Sequence, residues 1–314
     1  MLMNLPPNRA VILRNTRCLY CGTPMERDEQ TRDHVIGRRF VPKGKLAANW
    51  NLIVNACRKC NNAKSSLEDD IAAITLQPDL WGRYGHEDAA AIEEARHRAE
   101  KSISRRTRKP VGQSEETVTL KSELGPGVSF SFNFTSPPQI EEDRAFELAR
   151  LHLMALFYMQ SYNPETRQGG YWLHGFHPVL AVRREDWGNP IMRDFTAATA
   201  DWEWRLHAVT ADGFFKALTR LHPNGTTWAW AIEWNHSMRL IGFFGELGPA
   251  QTLADTFARP QIHTVHEAPG EMLRYARETP LLEADDTLFT PPPEAEYAAV
   301  SEQGEPAKEP VAGS

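Results

Sequence analysis

Four cysteines fall in the first 60 residues as Cys18-Leu-Tyr-Cys21 and Cys57-Arg-Lys-Cys60, a C-x2-C-x35-C-x2-C pattern. Thiolates two residues apart can grip one ion from a tight turn, and two such turns complete a tetrahedron, so the pattern predicts a structural Zn2+ site on Cys18, Cys21, Cys57 and Cys60. The stretch between them exceeds the roughly 15–20 residues of a plain zinc ribbon and must hold structure of its own. Within it stands Arg32-Asp33-His34, and His34 is the sole histidine before His86.

An acid beside a lone histidine, set among arginines and lysines, suits the cutting of a phosphodiester. Such a cut needs a general base to deprotonate water and a cation to stabilise the charge that develops on the phosphate and leaving oxygens. Histidine titrates near neutrality and fits the base role. Mg2+ or Mn2+ prefers oxygen ligands, which Asp33 and Asn61 can supply.

In order, Cys-x2-Cys, Asp33-His34, Asn51-Leu52 and Cys-x2-Cys-Asn61-x2-Lys64 closely resemble HNH endonucleases of the ββα-metal fold, in the subgroup with a four-cysteine zinc knuckle. The resemblance covers about residues 14–70. It implies that His34 is the general base, that Asp33 and Asn61 hold a catalytic Mg2+ or Mn2+, that Asn51 braces the loop carrying the base, and that Lys64 lies near the substrate phosphate. Asn49 and Asn55 are alternatives for the bracing asparagine. The zinc then only fastens the scaffold.

The whole chain of 314 residues carries a net charge of −6, which taken alone argues against a nucleic-acid partner. Its distribution reverses that inference. Residues 1–110 hold 20 Lys+Arg against 13 Asp+Glu, whereas the rest hold 15 against 28. Residues 1–64 alone hold 12 against 4, an excess suited to phosphate contact. Arg32, Arg38, Arg39, Arg58 and Lys59 are the candidate DNA-binding residues. The bland alternative is a solvated basic face on a zinc-dependent nucleic-acid-binding module without catalysis.

The elements that must position these residues follow from periodicity. Ser65 to Arg108 is Ala- and charge-rich and predicts helix; Lys101–Lys109 is basic and Pro110 ends it. Val118–Phe134, alternating about Gly125-Pro126-Gly127, predicts a hairpin, and Glu141–Tyr162 a long helix with a broad apolar face. Strands are expected at Tyr171–Val182, Trp202–Val209 and Trp228–Trp234, a short helix near Gly213–Leu221, and a hairpin turning at Asn235-His236-Ser237. Seven of the nine tryptophans follow residue 170, and Trp228, Trp230 and Trp234 are expected in a core. His174-x2-His177 and His263-x2-His266 have ligand spacing but no partners in sequence.

The expected fold class is α+β: an N-terminal HNH module with a helical extension (1–110), an α+β accessory domain with a mainly antiparallel sheet (111–289), and a disordered tail (290–314) poor in large apolar residues. The accessory domain is expected to regulate, sense or form oligomers, as in a phage-defence or restriction nuclease. No apolar run approaches the roughly 20 residues that span a bilayer, and the N-terminus lacks a signal peptide's apolar core. A cytoplasmic location is therefore expected, with DNA as partner and no membrane.

Overall fold

A computed structural model describes residues 2–6, 8–26, 28–125, 128–172, 175–268, 271–293 and 297–299. It is a mixed α/β structure with five α-helices and sheets that are largely antiparallel.

β1 (Leu2–Asn4) lies apart from the module that follows it. In that module β2 (Val11–Ile12), β3 (Gln30–His34) and β4 (Leu52–Cys57) form a sheet in the order β2-β4-β3, and α1 (Arg58–Thr75) follows β4 without a loop. β3 and β4 pair antiparallel, His34 opposite Ile53 and Asp33 opposite Val54. The expected helical stretch is two helices, because Pro78, Gly82 and Gly85 interrupt it. α2 (Ala89–Lys101) restarts at Asp88, whose carboxylate caps it by accepting the Ala90 and Ala91 amides at 3.0 and 3.1 Å.

β5 (Glu116–Gly125) and β6 (Val128–Ser136) form the expected hairpin, with the turn residues Pro126 and Gly127 outside the described set. α3 (Glu142–Gln160) is buried along most of its length. Then come β7 (His177–Arg183), α4 (Pro190–Ala198), β8 (Glu203–Thr210), β9 (Phe215–Leu221), β10 (Thr227–Trp234), β11 (Met238–Gly245) and α5 (Leu247–Ala254). A second hairpin, β12 (Ile262–Ala268) with β13 (Glu271–Ala276), stands beside the first, and Val118, Phe134, Val265 and Tyr275 line the groove between them.

The expected helix near Gly213–Leu221 is instead β9. The helix formers Lys216, Ala217 and Leu218 are overruled by pairing on both sides, with β8 and with β10, and Asp212 and Gly213 at φ 55° and 85° turn the chain into the strand. In the large sheet the order is β14-β1-β8-β9-β10-β11-β7, where β14 (Tyr297–Ala299) pairs parallel with β1. Residues 300–314 of the expected tail lie outside the described residues.

β10 alternates between two cores. Trp230, Ile232 and Trp234 face α3 and the N-terminal module, while Ala229 and Ala231 pack with Ile191, Phe195 and Trp204 on the other face. The tryptophans of β10 are therefore core, two of them with no exposed surface. The first core is continuous from Leu13 and Trp50 to Phe244, so it crosses residue 110. Polar contacts reinforce it: Trp50 Nε1 donates to the Val209 carbonyl at 2.8 Å, Thr210 Oγ1 donates to the Trp50 carbonyl at 2.6 Å, and Lys45 bridges Asp88 and Asp212.

A buried charge row crosses β9, β10 and β11, where Lys216 and Arg239 flank Glu233 in register. Glu233 accepts from Arg239 Nε at 2.8 Å and pairs with Lys216 at 2.8 Å, and Arg239 also pairs with Asp286 and lies 3.6 Å above the Trp187 ring. Burial alone would raise the Glu233 carboxyl, but its contact with His236 and the charges of Arg239 and Lys216 bring it down to about 2. A carboxyl lowered on folding contributes stability above its unfolded value near 4.5, and this is lost as pH falls toward 2. Urea unfolding against pH is expected to lose about 3 kcal/mol over that window, and Glu233→Gln is expected to flatten it.

Candidate metal centre and active site

The first cysteine pair sits in a turn closed by Cys18 N to the Thr23 carbonyl (2.8 Å) and Gly22 N to the Cys18 carbonyl (2.7 Å), with Gly22 at φ 73°. That left-handed conformation favours glycine. Cys57 ends β4, and Cys60 is in the first turn of α1. All four are free thiols, and their sulfurs lie within 4.8 Å of one another, Cys21 and Cys57 at 3.9 Å. Four thiolates about 2.3 Å from one ion stand about 3.8 Å apart, so the donor set and spacing fit a tetrahedral Zn2+. Among the described residues no other group of three or more His, Cys, Asp or Glu is placed to hold a metal.

This cluster pins the start of α1 to the Cys18–Cys21 turn, and thereby aims one stripe of the helix, Asn61, Lys64 and Glu68, at β3. Thr31 and Asp33, two apart on a strand, share the face that meets it. Asn61 Nδ2 donates to Thr31 Oγ1 at 3.0 Å, and Lys64 Nζ donates to Asp33 Oδ1 at 3.3 Å. The Lys64 ammonium also donates to Glu68 Oε1 at 2.8 Å and to the His34 carbonyl at 3.1 Å. Lys64 is fully buried, so its ammonium points into the protein and not toward a substrate phosphate. Burial opposes its charge, but Glu68 and Asp33 raise its pKa, and the same ammonium with His152 lowers that of Glu68. Tyr20, whose ionisation is suppressed by burial and the Asp33 charge, donates to Asp33 Oδ2.

Asp33 thus has both oxygens engaged and is only 5% exposed, while the Asn61 amide is turned to Thr31. No described contact joins the two. As placed, these residues do not fit an oxygen-ligated Mg2+ or Mn2+ site; the cation beside Asp33 is Lys64.

His34 has a different setting. It is half-buried, and burial, with the Arg38 charge next, lowers its pKa, leaving the imidazole neutral and able to accept a proton. The loop after it is held by Asn51, whose Nδ2 donates to the Ile36 carbonyl at 2.8 Å and whose Oδ1 accepts the Ile36 amide at 3.3 Å. Of the other two asparagines, Asn49 contacts Lys45 and Asp212, and Asn55 contacts Asn15. Arg32, Arg38, Arg39, Arg58 and Lys59 are all exposed and make no ion pair with a described residue.

A family model of HNH endonucleases matches residues 18–67, from the first cysteine to three residues past Lys64. That segment is about a sixth of the chain. No curated protein and no solved structure matches the chain.

Tyr20, Glu68 and His152 join the site without having been singled out in the sequence. Glu68 was accessible in principle, four residues after Lys64 on the same helical face. His152 lies 84 positions beyond Glu68 and has no local signal. One Zn2+ per chain is expected by elemental analysis; removing it with a strong chelator is expected to lose the β3–α1 packing, read as loss of amide protection across residues 31–37.

Proposed function

We propose that the chain is an HNH endonuclease that hydrolyses phosphodiester bonds in DNA, with His34 as general base. The observation that carries this is the neutral, half-exposed imidazole on a loop clamped by Asn51 and rimmed by arginines that make no ion pair with a described residue, inside the segment that matches the HNH family model. His34 takes the proton from the attacking water as its oxygen bonds to phosphorus. The bond to the leaving oxygen then breaks, that oxygen takes a proton from solvent water, and the arginine rim neutralises the phosphate. Asn51 fixes the backbone at Ile36 and Lys64 fixes it at His34 itself, and Asp33 keeps Lys64 ionised. Because Asp33 is held by Lys64, no step is routed through Mg2+ or Mn2+. The acidic remainder of the chain serves regulation or assembly, which suits a defence or restriction nuclease.

A second reading, a zinc-dependent nucleic-acid-binding module without catalysis, is favoured by the engagement of both Asp33 oxygens. Incubation of supercoiled plasmid with the purified protein, with Mg2+, with Mn2+ and with chelator for the divalent ion, separates the two. Nicking is expected, with a kcat/KM acid limb below the ordinary histidine value of 6.5. His34→Ala is expected to lose roughly 100-fold or more in rate and retain binding. Duplex binding without nicking under every condition establishes the second reading. In either case replacing Arg38 and Arg39 by Ala is expected to reduce the salt dependence of binding by about 2 in log–log slope.

A further inference from the structure

Glu68 sits where three structures meet. Its Oε1 accepts the Gly37 amide at 3.1 Å and the Lys64 ammonium at 2.8 Å, and lies 3.7 Å from Nε2 of His152 on α3. A Cβ at residue 37 would stand 2.6 Å from Glu68 Oε2, so glycine is what allows the carboxylate this close to the loop backbone. Gly37 lies three residues after His34, and Ile36, the residue held by Asn51, is between them. The loop bearing the base is thereby anchored at the His34 carbonyl, at Ile36 and at Gly37.

His152 itself calls for an explanation. It is fully buried, its ring lies edge-on to Phe40, Phe215 and Trp234 at 5.5, 5.2 and 5.8 Å, and neither nitrogen has a hydrogen-bond partner among the described residues. A buried polar group without a partner is costly, and an apolar ring would fill the space as well. The polar group beside it is Glu68. Phe40, packed on the same imidazole, ends the loop that carries Arg38 and Arg39, and its carbonyl accepts from Asn235 Nδ2 at 3.0 Å. The base loop is thus gripped from α3 and from the β10–β11 turn as well as from its own module.

We propose that Glu68 on α1, backed by His152 from outside the HNH segment, is a positioning residue that sets the His34 loop, so that the packing of α3 governs the activity of the site. This rests on the role proposed for His34. Neither residue touches substrate in this assignment. Glu68 acts through the Gly37 amide and through Lys64, and His152 acts through Glu68 and Phe40.

Two variants of the zinc-loaded 314-residue chain test it: Glu68→Gln, which keeps an acceptor but removes the charge, and His152→Phe, which keeps ring volume but removes the nitrogens. Glu68→Gln is expected to lower kcat on the order of 100-fold with KM and duplex affinity unchanged, and His152→Phe to lower it less. Amide exchange resolved at Ile36 and Gly37 is expected to speed up in both, while zinc content stays at one per chain. Unchanged exchange at Gly37 in both variants overturns the proposal, as does a loss that falls wholly on KM. If the wild-type protein cuts nothing and both variants still loosen Gly37, the nuclease reading fails and the positioning link stands. His152→Phe keeps the test decisive if Glu68→Gln does not fold.

Discussion

A lysine ammonium with no access to water must be matched inside the protein, and that requirement at Lys64 organises the module around it. Two carboxylates and a backbone carbonyl meet the ammonium, from β3, from α1 itself and from the His34 peptide. Each partner is drawn to a fixed place by the cost of leaving the charge unpaired. Asp33 consequently faces inward, and His34, the next residue along the strand, points to the other face, where the arginines are. The acid and the base of one dipeptide are separated by strand alternation and by the charge that one of them must neutralise.

The cysteine cluster and the buried lysine are complementary constraints on the same helix. The cysteines fix where α1 begins, and the ion pairs fix its rotation about its axis, since Asn61, Lys64 and Glu68 recur at helical spacing on one face. Neither suffices alone: a pinned helix could still rotate, and an oriented one could still slide. Beyond them the large sheet acts as a floor, with α3 between it and the module, so the small basic unit rests on a core it shares with the acidic one.

Much of this arrangement was legible in the sequence because it depends on local spacing. The paired cysteines announced a candidate metal cluster, and the alternation about Gly125-Pro126-Gly127 and the apolar face of Glu141–Tyr162 announced a hairpin and a helix. What escaped depends on partners remote in sequence. Phe215–Leu221 has helix-forming composition and becomes a strand only because β8 and β10 flank it. Lys64 has the spacing of a phosphate-binding residue, and only the convergence of Asp33 and Glu68 turns it inward. His152 is silent in sequence, since a lone histidine on an apolar helix face has the look of ordinary core.

Met3 pairs with Leu206, and Leu2 is buried with Trp187 and Phe195 on the far face of the sheet. Some 200 residues of chain separate the two sides of that contact, among them the whole HNH segment. Closing so long a loop is entropically expensive and slow. The cysteine-bearing module draws on near neighbours in sequence, whereas the strand ahead of it depends on β8 for its pairing. The strand ahead of the module therefore joins the large sheet only through long-range closure.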